Sequence, residues 1–240
     1  MNIDQVKINS DLGEGTGIEK DIMPYLTSCS IACGGHTGDK STMKNTILIA
    51  KKHGVKVGAH PSYPDKENFG RKKISISKSD LISSLKNQIN ELNEICNAHS
   101  ITLDHIKLHG ALYNFSVVDV DTASTIVELM KKNYPDKILY VPYGSLISEL
   151  ALEKNIKINY EVFLDRNYND DLSLVSRSKN NSMILDHNKM LNRLKNVIID
   201  NKIHTVNGNY KKIIGDTFCV HGDSPKMSVI IKSLFADLKK

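Results

Sequence analysis

Tryptophan is absent from this chain of 240 residues, and no apolar run approaches the ~18 residues of a membrane span. A spanning segment is therefore excluded, and no membrane partner is expected. The opening Met1-Asn2-Ile3-Asp4-Gln5-Val6 also lacks the basic stretch and apolar core of a secretion signal, so a cytoplasmic location is expected. Cysteine is scarce. Cys29, Cys33, Cys96 and Cys219 lack the pairing of a zinc site or a redox motif, which predicts reduced thiols in the core. Lys and Arg outnumber Asp and Glu by 32 to 27, but the excess is scattered in pairs such as Lys51-Lys52 and Lys211-Lys212. Without a basic stripe interleaved with aromatics, nucleic acid is excluded as a partner. Linkers, low-complexity tracts and long repeats are missing too, so residues 1–240 read as one catalytic domain.

What the chain does contain is alternation. Short β-rich runs at 6–10, 30–33, 55–59, 105–108, 138–141, 158–164 and 218–220 predict strands. Between them lie helical periods: Met43, Ile47 and Ala50, ending at the C-cap Gly54; Leu81, Leu85, Ile89, Leu92 and Cys96; Ala123, Ile126, Val127 and Met130; Leu191, Leu194 and Ile198. A last helix with Met227, Ile230, Leu234 and Leu238 on one side follows Ser224-Pro225, a cap and first-turn proline in sequence. Seven strand-helix units predict a parallel α/β barrel, closed or nearly so. Two additions interrupt the pattern. Residues 167–181 are polar and aperiodic, placed to cover a site, and Asn207-Gly208 predicts a hairpin between 203–206 and 210–214.

The titratable residues share the phase of that alternation. His36, His60, His109 and His221, with Asp11, Glu14, Asp165 and Asp223, fall at or just beyond predicted strand C-termini. In a parallel barrel those positions converge on one rim, where barrel enzymes place their chemistry. Histidine transfers protons near neutral pH, carboxylates orient it or activate water, and Lys107 or Arg166 can neutralise an anionic oxygen; the mixture suits amide hydrolysis. His53, His99, His105, His187 and His204 lie outside the phase and read as surface or structural. Gly34-Gly35-His36-Thr37-Gly38-Asp39-Lys40-Ser41 approaches the phosphate loop G-x-x-x-x-G-K-[ST], but Asp39 stands where that loop needs lysine, so an autonomous P-loop is not expected.

Strung together, SDLGEG, IACGGHTGD, GAHPSYPD with FGR, KLHGALYN, EVFLDRNY and HGDSP resemble the LamB/YcsF family from about Asn9 to Asp223. Gly35, Thr37, Leu108 and the pair Asp170-Asp171 depart from the usual family residues, while every titratable motif residue is in place. The resemblance implies an irregular seven-stranded (β/α) barrel similar to polysaccharide deacetylases and glycoside hydrolase-type barrels. It also implies the A-subunit role in an ATP-dependent 5-oxoprolinase, opening 5-oxo-L-proline to L-glutamate with ATP, accompanied by Mg, as cosubstrate and with B and C subunits as partners. On this reading Asp11, Glu14, His60, His109 and Asp165 are the catalytic candidates, and His36, Asp39, Lys107, Tyr113, Arg166 and Asp223 the substrate-binding ones. Two alternatives stay open: an ATP-independent amide hydrolase or deacetylase holding a divalent metal on Asp11, His36 and His60, and a subunit that only binds or delivers 5-oxoproline.

Overall fold

The computed structural model describes residues 6–222 and 226–238. Seven parallel strands close into a barrel: β1 (Ile8–Leu12), β2 (Ser28–Ala32), β3 (Lys56–His60), β4 (Leu103–Lys107), β5 (Ile138–Pro142), β6 (Ile158–Phe163) and β9 (Thr217–Cys219), in the spatial order β1-β2-β3-β4-β5-β6-β9. Closure comes from β9, which pairs with β1 through Ile8↔Phe218 and with β6 through Val162↔Phe218. The strands are sheathed by α1 (Glu19–Ile22), α2 (Lys40–His53), α3 (Lys78–Ala98), α4 (Gly110–Ser116), α5 (Val120–Asn133), α6 (Leu146–Glu153), α7 (His187–Asp200) and α8 (Lys226–Leu238). The expected barrel is observed. No helix among the described residues is long and apolar enough to cross a membrane.

The two faces of the strands have opposite chemistry. Outward residues such as Ile8, Leu12, Ile31, Val57, Ile106, Leu139 and Val162 are buried in one apolar cluster with Met43, Ile47, Leu85, Ile89, Leu194 and Ile231 of the helices. The inward residues include many polar ones. Asn9 donates to Thr217 Oγ1 at 2.8 Å, and Ser30 lies 3.2 Å from His105 Nε2. The His105 ring stacks on Tyr140 with centroids 4.0 Å apart, so His105 is structural, as its position outside the histidine phase implied. Gly58 gives that ring its room, since a Cβ there would fall 2.2 Å from His105 Nε2. All four cysteines are free and buried.

Capping explains where the helices begin and end. Asp39 opens α2 by accepting from Thr42 N at 2.8 Å while Thr42 Oγ1 accepts from Asp39 N, and Gly54 closes it at φ +67°. Asp186 and Asn201 do the same for α7. The predicted hairpin is present as β7 (Lys202–His204) and β8 (Tyr210–Lys212), a separate two-stranded sheet. Segment 167–181 is fastened to it: Asp170 accepts from Thr205 Oγ1, Asn207 Nδ2 and Asn209 Nδ2, and Tyr168 O accepts from Val206 N. The Ser224-Pro225 cap of the last helix lies outside the described residues.

Candidate active site

Two tight turns bring the first titratable groups to the C-terminal rim. After β1, Gly13 at φ +74° and Gly15 at φ +80° adopt the left-handed conformation that turns Glu14 back over the barrel. After β2, the amide of Gly34 donates to Thr37 O, folding His36 inward. Glu14 Oε1 then lies 3.0 Å from His36 Nε2, 3.4 Å from His109 Nδ1 and 3.7 Å from His60 Nε2. His60 Nε2 and His109 Nδ1 are 3.0 Å apart, while the His36 and His109 rings stack at 3.6 Å with an interplanar angle of 2°. Burial pushes His60 down to about 3 and also lowers His36. For Glu14 burial works the other way, but the imidazoles of His109, His36 and His60 beside it hold its carboxyl well below the usual range.

Phe69 completes this cluster. It holds φ +53°, a conformation costly for a bulky residue, and in it Phe69 O takes the hydrogen of His109 Nε2 at 2.9 Å. Its ring meets His36 edge-on at 5.0 Å and His109 at 5.4 Å.

Beneath the histidines, inside the barrel, Lys107 Nζ lies 2.8 Å from Asp11 Oδ1 and 2.8 Å from Glu161 Oε1. Tyr113 donates to Glu161 Oε2 at 3.0 Å, and Cys219 Sγ is 3.2 Å from Nζ. This is one cation between two carboxylates, and their fates differ. Burial opposes ionisation of Asp11, but the imidazole of His60, the ammonium of Lys107 and the imidazole of His221 outweigh it and bring Asp11 down to about 2. Burial, with the Asp11 charge adding to it, raises Glu161 against the pull of Lys107.

The third group is an acid–imidazole pair. Asp165 accepts from the His221 amide at 2.7 Å and lies 3.0 Å from His221 Nδ1, while His221 Nε2 points back toward Asp11 Oδ2 at 3.7 Å. Despite burial, Asp165 raises His221 and is itself lowered by it. The pair stands two residues beyond β6 and β9, as the barrel phase requires.

Of the residues singled out from sequence, Asp11, Glu14, His36, His60, Lys107, His109, Tyr113 and Asp165 come together here. Asp39 does not join them: it is exposed, and its carboxylate caps α2. Arg166 Nη2 donates to Val175 O at 2.7 Å, bracing segment 167–181. Asp223 lies outside the described residues. Sequence reasoning misses Glu161, Phe69 and Cys219, and it marks His221 by phase alone. The inward alternation of β6, with Glu161 and Phe163 on the face opposite Val162, is the available signal for Glu161. A cleft of about 790 Å³ opens between the Cys33–Gly35 turn and α3, lined by Gln88, Glu91 and Glu94, and includes none of these groups.

A closed parallel barrel with imidazoles and carboxylates gathered at one rim defines a TIM-like (β/α) protein arranged as barrel enzymes are. The chain belongs to the LamB/YcsF family, whose pattern matches residues 6–240. It is 37% identical over 227 residues to the 5-oxoprolinase A subunit of Pyrococcus abyssi, covering 92% of this chain and 89% of that one. To the 5-oxoprolinase A subunit of Fusobacterium nucleatum it is 37% identical over 241 residues, covering 97% and 94%. The crystal structure of a lactam utilization protein from Thermus thermophilus superposes with a TM-score of 0.88 at 30% identity, over 98% of this chain and 97% of that one.

Proposed function

We propose that this chain is the A subunit of an ATP-dependent 5-oxoprolinase, acting with B and C subunits to open 5-oxo-L-proline to L-glutamate as ATP becomes ADP and phosphate. The observation that carries this reading is the convergence of Glu14, His60, His109, Asp11, Asp165 and His221 within one rim, in a family whose relatives are named for that activity. A five-membered lactam is a stable amide, and phosphorylation of its carbonyl oxygen makes the carbon electrophilic enough for water. Cleavage then needs a base for the water and an acid for the departing nitrogen. The Asp165–His221 pair, held in one orientation by three contacts, suits proton transfer to nitrogen. The histidine cluster with Glu14 suits activation of water.

Lys107 is read differently from its sequence assignment. Enclosed by Asp11 and Glu161, it keeps Asp11 ionised and does not reach for a phosphoryl oxygen. Arg166 is likewise occupied with carbonyl groups. With Asp39 where a phosphate loop would place its lysine, ATP is best read as a substrate of the assembly, met at the junction with the partner subunits.

Two substitutions separate the rim from its surroundings. In the three-subunit assembly, Asp165→Asn lowers glutamate release by about 10²–10⁴-fold, the range for losing a proton-transfer partner. Asp39→Ala leaves turnover within about twofold, because loss of a helix cap acts on stability, by about 1 kcal/mol. Equal turnover in the wild type and the Asp165 variant would favour a delivery subunit.

A further inference from the structure

The hydrogen bonds around His60 and His109 place one proton on each ring. Lys107 O lies 2.9 Å from His60 Nδ1, and a carbonyl only accepts, so Nδ1 carries the hydrogen and Nε2 presents its lone pair. Phe69 O lies 2.9 Å from His109 Nε2, so there Nε2 carries the hydrogen and Nδ1 presents the lone pair. These two lone pairs face each other across 3.0 Å. Glu14 Oε1, another pure acceptor when ionised, stands 3.4 Å from one and 3.7 Å from the other. Three atoms that can each offer a lone pair thus converge on one point. His36 Nε2 approaches the same Glu14 oxygen at 3.0 Å and suits a donor that orients the carboxylate.

We propose that Glu14 Oε1, His60 Nε2 and His109 Nδ1 bind a divalent transition-metal ion of the zinc type, with His36 as the residue that positions Glu14. The spacing fits. Ligand atoms about 2.0–2.1 Å from such an ion are separated by about 2.9 Å at right angles and about 3.4 Å at the tetrahedral angle; the three separations observed run from 3.0 to 3.7 Å. The outer contacts fit as well, since metal-binding imidazoles characteristically donate their second N–H to a carbonyl, as both rings do here. Two imidazoles and one carboxylate favour zinc, iron, cobalt or manganese over magnesium or calcium, and three protein ligands leave a position for an exchangeable oxygen ligand. The set differs from the Asp11, His36 and His60 combination considered from the sequence, because Asp11 is paired with Lys107 and His36 with Glu14. It rests on donor geometry and is independent of the 5-oxoprolinase reading.

The test uses the full chain alone, stripped with chelator and titrated with Co²⁺. One equivalent is expected to bind with a visible ligand-field spectrum and to be displaced by Zn²⁺. His109→Ala abolishes the spectrum while circular dichroism shows a folded chain, and His36→Ala weakens affinity about 10–100-fold, as loss of an orienting contact does. Nitrogen-15 NMR of the wild-type histidines gives a second reading: Zn²⁺ moves His60 Nε2 and His109 Nδ1 and leaves their protonated partners in place. A folded wild-type chain with no cobalt spectrum and no zinc response overturns the proposal, and so does undiminished binding by a folded His109→Ala chain. Because no 5-oxoproline or partner chain enters, failure of this site and failure of the functional reading are seen separately.

Discussion

Lys107→Met lowers the stability of the chain by about 3–5 kcal/mol, the cost of removing one partner from a buried ionic group. The ammonium is 1% exposed and is shared by two carboxylates that are buried with it. Its removal leaves Asp11 without the cation that keeps it ionised, and one carboxylate must take up a proton or remain as an uncompensated charge. For a domain of this length the loss corresponds to a fall in Tm of roughly 6–20 °C, read by thermal unfolding followed by circular dichroism. Adding Asp11→Asn and Glu161→Gln removes the stranded charges and restores most of the difference. A Tm for Lys107→Met within about 2 °C of the wild type would mean that the cage contributes less than about 1 kcal/mol, contrary to the geometry.

In the three-subunit assembly proposed above, His60→Ala and His109→Ala each lower kcat by about 10³-fold, the loss expected when the group that activates water is dismantled, with KM changed far less. The two rings share one contact at 3.0 Å and one carboxylate, Glu14, so they operate as a unit. Residues of that kind are strongly non-additive, and the double variant is expected to be little worse than the poorer single one. The measurement is steady-state glutamate release for the four combinations at saturating ATP. Multiplicative losses would separate the roles of the two rings, and full activity in either single variant would remove the cluster from the chemistry.

The rim is legible in the sequence because parallel strands convert a spacing along the chain into proximity at one end of the barrel. His60 ends β3, and His109 and His221 each lie two residues beyond a strand. The strand limits are less legible. The runs Val6 to Ser10 and Ser30 to Cys33 become Ile8–Leu12 and Ser28–Ala32, because the barrel interior accepts Asp11 and Ser28, which a hydrophobic pattern excludes. The same polar interior hides Glu161: its role comes from Lys107 and Tyr113, 54 and 48 positions away, and no local period encodes that pairing. Short helices such as α4, seven residues long, give too little chain for a period to show. Phe69 is concealed by its backbone, since a left-handed phenylalanine is held by its surroundings and not by propensity. Asp39 shows the opposite case, where an acidic residue beside a rim histidine is explained by Thr42 three positions on, as a helix cap.

The most direct measurement is glutamate release from 5-oxo-L-proline and ATP by this chain alone, by the B and C subunits without it, and by all three mixed. Turnover is expected only in the full mixture, accompanied by release of ADP and phosphate. A mixture that stays inactive, or partners that turn over equally well without this chain, would contradict it.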